Sequence, residues 1–314
     1  MALTLAEAAK LSQNDLQVGV LETFVQVSPV LDRLPLITIN GNAFAYNEEA
    51  TLPGVEFRAV NAAYAESTGT INQKTESLVI LGGDADVDTF IERTRSNLQD
   101  QRAVVTAGKV KAASYKFQDT FVNGDVAVDA NSFDGLKKRL TGTQVLDAAT
   151  NGLAVVGADD IARQNFFDQL DALIAAVPGG PDALYMNSAI RSKIGSSARR
   201  LTISGTPREQ FGKSFPTYND IPLIDIGNKA DGTAIIPQTE VQGTSGATAS
   251  SIYAVRFGQD EGDQAVTGLT NGGVQVKDLG EIDAKPVYRT RLEFFCGLAV
   301  FGKGAARLRG VLNS

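Results

Sequence analysis

Apolar positions repeat at two different periods along this chain, and the changes of period divide it. From Leu98 to Asp125 the repeat is helical: Leu98, Val105 and Ala112 fall seven apart, and Val110, Phe117 and Phe121 form a second row. The spacing predicts one helix over residues 97–123, roughly 40 Å long at ~1.5 Å per residue. Asn97 is placed to cap it, and Asn123-Gly124 to end it with a left-handed residue. Two apolar rows with charges between them predict a helix gripped on two sides. Strand-like alternation is clearest in Val287–Val300, where Tyr288, Thr290, Leu292, Phe294, Cys296, Leu298 and Val300 face one way. Arg289, Arg291 and Glu293 face the other way, toward water. At ~3.3 Å per residue that strand is roughly 45 Å long and matches the helix.

Between and around these two elements the pattern is less regular. Residues 1–34 carry scattered apolar positions (Leu3, Leu5, Leu11, then Val18 to Val25), too few to fold alone, and predict an arm lying on another surface. Residues 36–81 switch to period two, with strands expected at 36–40, 42–46, 55–60 and 70–81. A ribbon so thin in apolar residues is marginal by itself. It is either a surface hairpin on its own domain or an extension held by a neighbouring subunit. Gly82-Gly83-Asp84 is expected to close it, before a short helical turn at Val87, Phe90 and Ile91.

Residues 141–151 read as a polar loop, and 159–177 as a second helix with Phe166, Leu170, Leu173, Ile174 and Val177 inward. Pro178-Gly-Gly-Pro181 stops that helix, Ala183–Met186 reads as a buried strand, and Asn187 or Ser188 caps a third helix with Ile190 and Ile194. Residues 201–217 are irregular, and their cations read as a solvated loop. Further strands are expected at 221–226, 234–236, 251–257, 265–269 and 274–279, with a polar loop at 238–250. The order of parts predicts an α+β protein.

Composition removes most chemistry. The chain has 314 residues, no histidine and one cysteine, Cys296. Ser-His and Cys-His arrangements are therefore absent, as are disulfides within the chain and cysteine-rich metal sites. The charge of −7 disfavours general attraction to nucleic acid or an anionic membrane. No apolar run approaches the ~20 residues of a membrane span. Gly297 to Gly304 nearly matches a phosphate loop, but Gly304 stands where the magnesium-holding Ser or Thr belongs. Asp84, Asp86 and Asp88 alternate like a calcium loop without its Gly and Glu, and read instead as acids at a helix start. No residue is assigned as catalytic, cofactor-binding or metal-binding, and the reading is non-enzymatic.

The sequence of parts resembles the major capsid proteins of tailed bacteriophages with the Hong Kong 97-type shell fold. The resemblance is carried by the long helix ending Asn123-Gly124-Asp125, then Phe133-Asp-Gly-Leu136, Pro181-Asp-Ala-Leu-Tyr-Met-Asn187, Asp220-Ile-Pro-Leu-Ile224, Ser251 to Gly258 and Pro286 to Gly310. It implies an N-terminal arm over 1–35, an extended E-loop over 36–81, and a peripheral (P) domain over 82–131 and 285–314 with its spine helix at 97–123. An axial (A) domain over 132–284 follows, with residues 202–216 as the loop at the capsomer axis.

The implied function is self-assembly into pentamers and hexamers of an icosahedral head that encloses double-stranded DNA without binding it specifically. Implied partners are a separate scaffolding protein, because the chain starts at the arm, a portal and a decoration protein, with no membrane. The implied place is the virion, assembled in the host cytoplasm. Lys74, the only lysine in 36–81, is the sole donor there for the intersubunit crosslinks some members form, and no crosslink is expected because no catalyst matches. The alternatives are an encapsulin-like nanocompartment shell and a soluble α/β enzyme or binding domain.

Overall fold

The computed structural model describes residues 28–95, 101–201, 208–210, 213–244, 246–259 and 261–313. The arm up to residue 27, the Asn97 cap and most of the 202–216 loop lie outside the described residues. In chain order the first elements are β1 (Leu36–Thr38), β2 (Ala43–Thr51), β3 (Thr70–Ser77), β4 (Val79–Asp88), α1 (Thr89–Arg95), α2 (Gln101–Asn123) and α3 (Leu136–Arg139). Then come β5 (Val145–Asp147), β6 (Leu153–Ala154), α4 (Asp160–Ala175), β7 (Ala183–Met186), α5 (Ser188–Arg200), β8 (Arg208–Gln210) and β9 (Lys213–Phe215). The rest are β10 (Thr217–Tyr218), β11 (Ile221–Asp225), β12 (Glu240–Val241), β13 (Thr248–Val255), β14 (Val266–Glu281), β15 (Val287–Val300) and β16 (Ala305–Leu312).

These strands build two main sheets. The first has the order β1-β14-β15-β4, and α2 packs across it through Phe117, whose ring lies 5.8 Å from that of Phe294 on β15. The second has the order β10-β11-β7-β13-β16-β5, with β12 beside β13 and β6 beside β16. Its strands alternate between two cores. Leu184, Met186, Ile252, Ala254 and Leu308 pack with Phe166, Leu170 and Leu173 of α4 and with Ile190 and Ile194 of α5. Ala183, Tyr185, Tyr253 and Val255 point the other way, into the core that also holds Phe121 of α2 and Phe294 of β15. A strand buried on both faces reads as a continuous apolar run, and Ala183–Met186 is one.

Helix starts follow the sequence closely. Asp159 accepts a hydrogen bond from the Ala162 backbone N–H at 2.7 Å, and Asn187 accepts one from Ile190 at 2.8 Å. Several expectations need correction. Helix α2 buries one stripe, Val110, Phe117 and Phe121, while Val105 is half-buried and Ala112 exposed, so it is gripped on one side. It does end at Asn123, but Gly124 is not left-handed. A Cβ there would lie 2.2 Å from the Phe133 carbonyl oxygen, and one on Gly135 would lie 2.4 Å from that of Thr120. The glycines let two backbones touch, and the Gly135 N–H donates to the Gly124 carbonyl at 2.9 Å.

Gly82, Gly83 and Asp84 lie inside β4, not at a closure. Residues 55–60 form no strand, because no described strand pairs with them. Residues 145–147 are a strand on β16 instead of loop, 234–236 contribute only a bridge, and the two stretches expected at 265–279 are one bulged strand, β14. Short strands beside a long partner leave little period in the sequence. Sheet membership also cuts across chain order: β14 belongs with β15 in the first sheet, and β16 lies in the second.

Candidate assembly surfaces

The hairpin β2–β3 stands apart from both sheets, and its two ends differ in kind. Its base is built into the body. Tyr46, only 3% exposed, packs edge-on to Phe301 at 4.9 Å between ring centres, within a small core that includes Ile39, Leu269 and Ala299. The Tyr46 hydroxyl donates to the Val300 carbonyl at 3.3 Å and to Glu76 Oε1 at 3.4 Å. Burial, reinforced by the Glu76 charge, raises its pKa far above the ordinary phenol value. Glu76 in turn accepts both arms of the Arg139 guanidinium, Nη2 to Oε2 at 2.6 Å, with Nη1 on Oε1. Further out, Lys74 pairs with Glu48 at 2.6 Å.

Beyond Thr51 the chain makes a tip, residues 52–69, that ties itself together with polar groups. The Gly54 N–H donates to Ser67 Oγ at 2.6 Å, the Ala65 N–H donates to Glu56 Oε1 at 2.8 Å, and Arg58 lies 5.1 Å over the Tyr64 ring. The large apolar side chains are left in water: Leu52 76%, Val55 99%, Phe57 108% and Val60 91% exposed. Covering each would contribute about 1.5–3 kcal/mol. Contiguous exposed groups of this size mark an interaction surface.

The remaining candidates from the sequence are structural. Asp84 and Asp86 on β4 meet β15: Arg291 donates to Asp84 at 2.8 and 3.0 Å, and Arg289 to Asp86 at 2.7 and 2.6 Å. Hydrogen bonds from these guanidiniums hold both carboxyls below the usual range. Of the three acids only Asp88 acts at a helix start, accepting from the Phe90 N–H at 2.8 Å. This charge ladder across two strands was invisible in the sequence, because its partners are more than 200 residues apart. The phosphate-loop lookalike is strand β15 followed by a tight turn, and a Cβ on Gly304 would lie 2.5 Å from Ala265 Cα. Cys296 is buried inside β15, which pushes its thiol up to about 12. Among the described residues, no three His, Cys, Asp or Glu side chains are placed to hold a metal ion.

The fold has counterparts among known proteins. A family model described as major capsid protein GP7 matches residues 12–166. The capsid of a native GTA particle is 16% identical, with a TM-score of 0.60 over 91% of this chain and 90% of that one. The chain has the Hong Kong 97-type shell fold. A chain from Mycobacterium phage Adephagia matches with 14% identity and a TM-score of 0.55, covering 92% and 89%. The SrpI encapsulin complex from Synechococcus elongatus PCC 7942 has the same fold, at 19% identity and a TM-score of 0.67 over 92% and 89%. No curated protein matches the sequence. The exposed tip is the surface with the clearest need of a partner.

Proposed function

We propose that copies of this chain assemble into pentamers and hexamers of an icosahedral phage head enclosing double-stranded DNA, with no catalytic step of their own. The observation that carries the proposal is the tip at residues 52–69, whose large apolar side chains have no cover among the described residues. A neighbouring copy supplies that cover, as closed symmetric assemblies do for elements that cannot bury themselves. The division follows the sheets: an E-loop from β2 to β3, a P domain of the first sheet with α2, and an A domain of the second sheet. The net charge of −7 suits a wall that must not grip packed DNA. Assembly takes place in the host cytoplasm with a scaffolding protein, and the finished head carries a portal and a decoration protein. Electron microscopy of particles from phage-producing cells tests this: closed shells with DNA inside are expected, and a monomer at high concentration would overturn it. The likeness to SrpI supports a second reading, a nanocompartment. Particles filled with protein instead of nucleic acid would favour that reading.

A further inference from the structure

Helix α3 is a single turn, yet its three consecutive cations reach three different parts of the molecule. Lys137 Nζ lies 3.7 Å from Glu240, which is itself paired with Arg307 of β16 at 2.6 Å. Lys138 Nζ lies 3.2 Å from Asp125, just past the end of α2. Arg139 holds Glu76 of β3 with both arms, while its Nε donates to the Asp134 carbonyl at 2.6 Å. The turn itself is immobilised: Leu136 is fully buried, and the Gly124–Gly135 contact fixes its start against α2. The Arg139 and Glu76 side chains are only 16% and 15% exposed, in contrast to the Lys74–Glu48 pair at 49% and 30%. A two-pronged guanidinium–carboxylate contact fixes direction as well as distance.

We propose that α3 is the joint that sets the angle at which the hairpin leaves the body, with Arg139 and Glu76 as its positioning residues. The tip reaches a neighbour at the end of a long lever, so a small change of angle at Glu76 becomes a large displacement at residue 60. In a closed shell that angle fixes how steeply adjacent subunits meet, and hence particle size. The aromatic contact and hydrogen bond of Tyr46 keep the hairpin attached when the ion pair is lost, and the ion pair adds its direction.

The hinge part of the proposal stands without assembly, whereas the particle-size part rests on the shell reading above. The test places spin labels on the full chain at Val60→Cys and Ile161→Cys, both exposed. Labelled chain is diluted with unlabelled chain so that only distances within one copy are read. Cys296 is buried and takes no label. Arg139→Gln and Glu76→Gln should each at least double the width of the distance distribution. The exchange Glu76→Arg with Arg139→Glu should narrow it again, and Lys74→Gln should leave it unchanged. Shell diameters by electron microscopy should spread at least twofold in the two single variants. An unchanged distribution in both, or equal broadening by Lys74→Gln, overturns the joint. Absence of shells from the unsubstituted chain would refute the shell reading and leave the distance measurement intact.

Discussion

Strand β7 and the tip of the hairpin both carry large apolar residues, and they end in opposite surroundings. In Ala183–Met186 every residue is fully buried. In residues 52–69 Phe57 and Val55 are bare. The difference is in what flanks them. Strand β7 is preceded by a helix stop and followed by the Asn187 cap, so it lies between β11 and β13 with helices on one face. The tip is flanked by strands that pair with each other, and among the described residues nothing outside the hairpin covers it. An apolar run thus shows that burial is required, and the topology decides whether the burial happens within the subunit or between subunits.

The strongest way to break this contrast is to remove the tip. Replacing residues 51–67 by a short Gly-Ser linker should abolish shells completely in electron microscopy while circular dichroism and the melting temperature stay near the parent's. Loss of the folded subunit would mean that the tip serves its own chain. The converse change, Leu184→Ala in β7, should cost about 2–5 kcal/mol, lowering the melting temperature by roughly 5–15 °C for a chain this long. A shift below a degree or two there would contradict the buried-strand assignment.

Acid sharpens the comparison more gently, because the ladder of charges belongs to the body. Asp84 and Asp86 have folded-state pKa values below the ordinary 3.8. Their stabilisation is therefore fully present above that value and is lost as pH falls through the depressed range. Melting temperature should be flat from about pH 7 to 5 and decline below about pH 4, with Asp84→Asn and Asp86→Asn removing part of the decline. A decline beginning near pH 6 would assign it to other groups. The smallest effect expected is none: at pH 8 Cys296, its thiol pushed up to about 12, should resist a maleimide in the folded chain and react at once in denaturant.

The elements legible in the sequence were those with a long period or a local signal. Val287–Val300 matches its predicted ends, and Asp159 and Asn187 cap the helices they precede. The long helix was readable to its end at Asn123, but Val105 and Ala112 of its seven-residue row are not buried by the described residues. What was not legible depends on distance along the chain. Arg139 meets Glu76 across 63 residues and Arg291 meets Asp84 across 207. No spacing rule reaches so far. Strand β5 was missed for a related reason, since three residues become a strand only because β16 lies beside them. The tip showed its thin burial in the sequence, but only as one of two open readings.

Strand order also has a consequence for how the protein is made. In the first sheet β15 sits between β14 and β4, and in the second β16 sits between β13 and β5, so each sheet is completed in its interior by a strand synthesised after both of its neighbours. β1 likewise waits for β14, with Leu36 opposite Gly268. Contacts this distant in sequence form slowly and late. While the ribosome is still working, both sheets have a gap in the middle, and the hairpin has no finished body to stand on. A copy whose synthesis stops before residue 287 lacks the strands that join the halves of both sheets.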